Sequence, residues 1–146
     1  MNAMFAKLSS LLGLLVVLVA CAEEEEAPLP TDEERLAAMP DPAYGQRLFR
    51  QCAVCHNAAP DAGHRVGPNL WGVMSAEAGR HPDFSYSRAL ERANLVWDEE
   101  TLGAYIADPQ AVIPGGRMAY AGMESPADRR DLIAFLKTRQ NRAAKE

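Results

Sequence analysis

Two thiols and an imidazole within five positions, Cys52-Ala53-Val54-Cys55-His56, restrict this chain more than any other stretch of it. In C-x-x-C-H the sulfurs lie about one helical turn apart, so both can add to the two vinyl groups of one porphyrin, and the next residue sets an imidazole beneath the iron. C-x-x-C alone also suits a thioredoxin-like dithiol or half of a zinc site. The dithiol needs a βαβ setting, and none is visible; zinc needs further ligands, and no second C-x-x-C exists. The motif therefore predicts one haem held covalently by Cys52 and Cys55, with His56 as an axial ligand of its iron.

The third cysteine has a different setting. After Lys7 an almost unbroken apolar run from Leu11 to Ala20 ends at Cys21. A span of a bilayer needs about 20 apolar residues, so the run is too short for that and fits a secretory h-region. Leu18-Val19-Ala20-Cys21 resembles the lipobox of bacterial lipoproteins, which implies a signal peptide over residues 1–20, cleavage before Cys21 and acylation of its sulfur. An ordinary signal peptide with an incidental cysteine, or an uncleaved anchor, are the alternatives. With two thiols on haem and one on lipid, no disulfide is expected. The expected location is the periplasmic side of a bacterial membrane, the lipid on Cys21 holding the protein there.

Residues 21–41 change character: Glu23 to Glu26, then Pro28 and Pro30, then Asp32, Glu33 and Glu34. Such a segment buries too little to offset its ordering entropy, so it reads as a disordered acidic tether, with at most a fraying turn at Leu36 to Met39. The tether carries eight of the chain's 20 acidic residues, which leaves the remainder near neutrality. There is no basic excess and no basic-aromatic stripe, which excludes nucleic acid as a partner.

Residues 42–146 allow one domain with a modest core. Over Pro42 to Cys55, Tyr44, Leu48, Phe49 and Cys52 trace a helical face that leads directly into the haem motif. Asn57 to Leu70, with Pro60, Gly63, Gly67 and Pro68, reads as a loop. A short helix is expected over Ser85 to Asn94. Another is expected from Glu99 to Asp108, capped by Asp98 and stopped by Pro109. The last runs from Ser125-Pro126 to about Arg139. No run alternates as a strand should. The expectation is an all-α domain of about four helices, with long loops that the porphyrin organises.

Iron held by His56 needs a second ligand or keeps an open site. Met74, Met118, Met123, His64 and His81 are the candidates. His64 shares a loop with His56 and is too near for the opposite face. Met118 follows Pro114-Gly115-Gly116, which cannot pack as a helix, and lies far enough along the chain to wrap the haem edge. Methionine is usually core filler; in this setting Met118 is the expected ligand.

The chain resembles the class I cytochromes c from about Gly45 to Lys137. The likeness is carried by Gly45-x-x-x-Phe49, Cys52-x-x-Cys55-His56, Gly67-Pro68-Asn69-Leu70-x-Gly72, Phe84-x-Tyr86, Trp97, Tyr105, Ile113-Pro114-Gly115-Gly116-Arg117-Met118 and Asp131-Leu132-Ile133-Ala134-Phe135-Leu136. It implies the class I fold around one haem c. The first helix should cross the last at Gly45, with Phe49 near Leu132 and Phe135. The Pro68 carbonyl should accept from His56, as partners of ligating histidines generally do. Tyr86 and Trp97 should donate to a haem propionate, and Tyr105 should lie near the Met118 sulfur. His64 corresponds to a histidine that bridges loops. Ala76 stands where mitochondrial members carry an arginine near the inner propionate, and Arg80 is the nearby substitute. The family also meets acidic partners with basic residues around the exposed haem edge, for which Arg47, Arg50, Arg65, Arg80 and Arg117 are the candidates.

An iron with both axial positions filled by His56 and Met118 has no open site for oxygen or peroxide. The expectation is thus no enzyme but a monomeric, membrane-tethered carrier of single electrons between membrane-bound redox complexes of a respiratory or photosynthetic chain. The alternatives are a haem subunit of a periplasmic oxidoreductase, or a gas-binding sensor in which Met118 is weak.

Overall fold

The computed structural model describes residues 28–140. The expected signal peptide, Cys21 and the Glu23 to Glu26 run lie outside the described residues. Six helices follow in order: α1 (Asp32–Ala37), α2 (Pro42–Cys52), α3 (Arg88–Glu91), α4 (Glu99–Ala107), α5 (Pro109–Val112) and α6 (Pro126–Lys137). Among the described residues there is no strand, only an isolated antiparallel bridge between Glu77 and Val96. The all-α expectation holds.

Local chemistry sets each helix start. The Asp41 carboxylate accepts from the Ala43 and Tyr44 N–H groups at 2.8 and 3.0 Å, with Pro42 in the first turn. Asp98 accepts from the Thr101 N–H at 2.7 Å, and Ser125 from that of Asp128 at 3.0 Å. Two expectations on length are corrected. α3 is confined to four residues, and α2 ends at Cys52, after which the Cys55 and His56 N–H groups both turn back to the Cys52 carbonyl. Pro109, expected only to stop α4, also opens α5. Asp108 caps that extra turn by accepting from the Gln110 and Ala111 N–H groups at 3.0 Å each.

α2 and α6 cross in direct backbone contact. A Cβ placed on Gly45 would lie 2.0 Å from the Asp131 carbonyl oxygen and 2.9 Å from the Phe135 Cβ, so only glycine fits. Phe49 meets Phe135 at 5.2 Å between ring centroids, as expected. Beyond the crossing, α4 packs on α6, and Leu102, Ile106, Leu132, Ile133 and Leu136 are buried between them.

The disordered tether is corrected for residues 31–41. Thr31 and Glu34 close a capping box, the Thr31 N–H donating to Glu34 at 2.8 Å and the Glu34 N–H to Thr31 Oγ1 at 3.3 Å. Arg35 then reaches Asp128 at 2.6 Å and Asp131 at 2.8 Å on α6. Arg130 donates to the backbone carbonyls of Arg35, Leu36 and Ala38. Asp131, 2% exposed, also accepts from the Asp41 N–H at 3.0 Å. Burial pushes its carboxyl up, but Arg35, the Asp41 N–H and Arg130 outweigh that and hold it below the ordinary carboxylate range. α1 is therefore part of the domain.

Gly45→Ala should destabilise the folded protein by about 1–3 kcal/mol, because the crossing must open. Gly103→Ala, whose Cβ would meet only the Ile133 Cδ1 at 3.6 Å, should be neutral or stabilising by up to about 1 kcal/mol. Urea midpoints of the two variants check the contrast. A depressed carboxyl contributes stability that is present above its unfolded pKa and lost as pH falls through the folded one. Stability should thus decline as pH drops below about 4. Asp131→Asn should be less stable at neutral pH and show a shallower acid decline in thermal melts.

Candidate functional site

The end of α2, the loops after it, α4, α6 and the Gly116 to Tyr120 segment enclose a cavity of about 650 Å³. That lies within the usual size of a ligand pocket. Its lining is largely apolar, with Leu70, Val73, Leu90, Ile106, Leu132 and Leu136 among the walls. Cys52, Cys55, His56, Pro68, Tyr86, Trp97, Tyr105 and Met118 all line it, although they are scattered over some 70 residues of chain.

His56 is held tightly. Its Nδ1 lies 2.7 Å from the Pro68 carbonyl oxygen, which can only accept, so Nδ1 carries the proton and Nε2 keeps its lone pair. Burial pulls the imidazole pKa down, against the opposing effect of that bond, and favours the neutral, ligating form. Gly67 is required by close approach. A Cβ there would lie 2.3 Å from the His56 Cε1. Burial, and secondarily the neighbouring Cys55, push the Cys52 thiol up to about 11.

The candidates for the second ligand separate by position. Met118 lines the cavity, whereas Met123 is buried in the core at 6% exposure and Met74 packs against that core. His81 does line the cavity, but its Nε2 donates to the Asn69 carbonyl at 3.0 Å, next to the Pro68 that holds His56. His64 bridges loops, as expected: its Nδ1 accepts from the Asn69 N–H at 3.0 Å and its Nε2 donates to Asp83 at 3.1 Å. His64, His81 and Asp83 cluster closely enough to suggest a metal. However, with Nδ1 accepting and Nε2 protonated, the His64 ring has no lone pair left for one.

Four aromatic residues line the cavity in two pairs, Trp97 and Tyr105 tilted at 4.9 Å and Phe84 and Tyr86 edge to face at 4.8 Å between centroids. Burial pushes both tyrosine hydroxyls up, so they stay protonated donors at neutral pH. Arg80 lines the cavity, while Ala76 does not. Its guanidinium donates to the Gly72 carbonyl at 2.8 Å and to the Trp71 carbonyl. The five candidate arginines do not form one ring. Arg117, bonded to the Ser85 carbonyl, and Arg65, bonded to that of Ala53 at 2.9 Å, stand near the cavity; Arg80 turns inward; Arg47 and Arg50 flank a separate notch on α2.

Asn69, in sequence one residue of the Gly67 to Gly72 motif, organises the loop. Besides its bonds to His64 and His81, its side-chain amide donates to the Ala59 and Ala62 carbonyls at 2.9 and 2.6 Å, and its Oδ1 accepts from the Trp71 N–H at 2.9 Å. An asparagine directly after the Gly67-Pro68 turn was the available signal.

This donor set fits a haem. Two thiols are spaced for its vinyl groups, a neutral imidazole presents a lone pair, and a thioether and protonated aromatic donors share one apolar chamber. The sequence model of the family described as Cytochrome c matches residues 42–140. Cytochrome c2 of Rhodomicrobium vannielii is 45% identical over 98 residues, covering 67% of this chain and 78% of that protein. Cytochrome c of Chlamydomonas reinhardtii is 42% identical, covering 66% and 88%. Among solved structures, cytochrome cH from Methylobacterium extorquens is similar with a TM-score of 0.64 and 38% identity, covering 67% of this chain and 98% of that one.

Gly67→Ala should displace the His56 ring and break its bond to Pro68. The yield of covalent holoprotein should drop severalfold, and the haem that is attached should show a shifted Soret band. Gly63→Ala, in open space on the same loop, should do neither.

Proposed function

This chain belongs to the cytochrome c family, and on that premise we propose that it carries single electrons between membrane-bound redox complexes while tethered to the membrane through Cys21. It has one covalently bound haem c, and it is an electron carrier and not an enzyme. When bound, the haem supplies a one-electron iron couple whose potential a thioether ligand raises.

The residues of the chain divide the remaining work. Cys52 and Cys55 would hold the group by thioether bonds, and His56 would present Nε2 to the iron because Pro68 fixes the proton on Nδ1. Met118 would supply a thioether to the iron. The observation that carries this assignment is that, of Met74, Met118 and Met123, only Met118 lines the cavity. Tyr86, Trp97 and Arg80 would meet the propionates, Arg80 supplying the charge that Ala76 lacks, and Tyr105 would pack by the Met118 sulfur. Leu132, Leu136 and Ile106 exclude water from the ring faces.

The tether rests on the Leu11 to Ala20 run and the Ala20-Cys21 junction. Acylated Cys21 would hold the domain at the periplasmic face, where membrane-bound donors and acceptors meet it by local encounter. Among the described residues no helix is long and apolar enough to cross a membrane.

Two experiments test the proposal. Carbon monoxide added to the ferrous protein at neutral pH should leave the spectrum unchanged, and Met118→Ala should bind it within seconds; rapid binding by the unaltered protein would replace the carrier reading with a sensor. Cys21→Ala, exported from a cleavable signal, should be spectrally normal and appear in the soluble periplasmic fraction. Retention in salt-washed membranes would rule out acylation at Cys21 as the anchor.

A further inference from the structure

Among the described residues six large apolar side chains stand exposed, and three of them, Leu29 (91%), Leu36 (43%) and Met39 (88%), fall in one short segment. That segment precedes residues 42–140, the part matched by the family. From Thr31 to Ala38 its backbone is fixed, because Thr31 and Glu34 close a capping box, Arg35 pairs with Asp128 and Asp131, and Arg130 gathers three of its carbonyls. The domain therefore grips this segment by its polar groups while its large apolar side chains face outward. A segment that served only as a spacer has no use for that arrangement.

The neighbouring surface of α2 is basic. The Tyr44 ring has the Arg35 guanidinium 4.6 Å from its centroid and that of Arg47 at 4.8 Å, which joins α1 to α2. Arg47 and Arg50 flank a shallow notch floored by Phe49 and Phe135, and neither forms an ion pair among the described residues. Arg139 lies over the same Phe135 ring at 4.8 Å. Of the acids of α1, Glu33 and Glu34 are exposed and Asp32 is half-buried. Asp32 accepts from the Ser125 hydroxyl at 2.7 Å and Glu34 closes on Thr31, which leaves Glu33 as the free one.

Exposed leucine and methionine beside unpaired guanidinium groups match the boundary of a bilayer, where acyl chains adjoin phosphates. Reach points the same way. Leu29 is eight residues from Cys21, at most about 30 Å of extended chain. We propose that the α1 and α2 face rests on the lipid surface, with Leu29, Leu36 and Met39 entering the interface and Arg47 and Arg50 meeting lipid phosphates; this deepens, and rests on, the reading of Cys21 as acylated. Cys52 follows Arg47 by five residues and Arg50 by two, about 140° and 160° around α2 at 3.6 residues per turn, so the arginines and the cavity wall lie on different sides of that helix. The cavity thus stands away from the lipid and stays open to a partner.

The test uses acylated full-length holoprotein in vesicles of phosphatidylethanolamine and phosphatidylglycerol. Met39→Cys and, as a control, Glu91→Cys on α3 carry a fluorophore. Emission in vesicles with brominated acyl chains is divided by that in unbrominated ones, so that quenching by the haem cancels. The ratio should fall about twofold or more for the label at 39 and stay near unity at 91. Arg47→Glu with Arg50→Glu should restore most of the emission at 39. If the protein pellets with vesicles but both labels are quenched alike, the face does not rest on lipid, whether it is free or meant for a protein, and the proposal is overturned while the anchor stands. If Cys21 takes up no labelled acyl chain, the anchor fails, and unacylated holoprotein mixed with excess vesicles decides the rest. Quenching at 39 then sustains the face alone, and its absence overturns it too.

Discussion

The crossing of α2 and α6 at Gly45 is the constraint on which the remaining structure depends. With no Cβ in the way, the Asp131 backbone sits against the Gly45 Cα, and both helices are then fixed in position. Cys52 projects into the cavity from the end of α2, and Leu132 and Leu136 wall it from α6. The same crossing brings Asp131 to the Asp41 N–H at the start of α2, so a helix cap and a helix contact are tied by one carboxylate. α4 lies on the other side of α6 and contributes Leu102, Tyr105 and Ile106 to the chamber. The pocket is in this sense a by-product of one close approach, completed by loops.

Where the chemistry is local, it was legible in the residues. Asp41-Pro42, Asp98 and Ser125-Pro126 announce helix starts through their own side chains, and the Cys52 to His56 spacing states its cofactor. The convergence of Pro68, Tyr86, Trp97, Tyr105 and Met118 was not deducible from spacing, because nothing local brings those positions together. It followed from likeness to a family, and in the fold these residues line one cavity. Met118 could be preferred over Met74 and Met123 only by the loop before it; packing is what separates the three.

The misjudged segment failed for a physical reason. Thr31-Asp32-Glu33-Glu34 was weighed as part of a run of like charge, yet a threonine followed three positions later by glutamate is also a capping box. The partners that hold the segment, Asp128 and Asp131 for Arg35 and the Arg130 guanidinium for three backbone carbonyls, lie more than 90 residues away and meet it only in the folded state. Pro109 was misread for a related reason. A proline ends the helix behind it and suits the first turn of the one ahead, and Asp108 before it makes the second role effective.

Asn69 has a consequence for how the protein responds to a change of charge. Five hydrogen bonds pass through this one residue, to both flanking histidines and to three backbone groups, and it follows directly on the carbonyl that holds His56. A ring supported in this way has little freedom to recoil when the charge beside it rises or falls by one. Stiffness of this kind lowers the rearrangement that accompanies each gain or loss of an electron, and in a carrier that lets transfer proceed quickly in both directions with little driving force. The irregular loop around Asn69 is thereby tied down close to where that change of charge is felt.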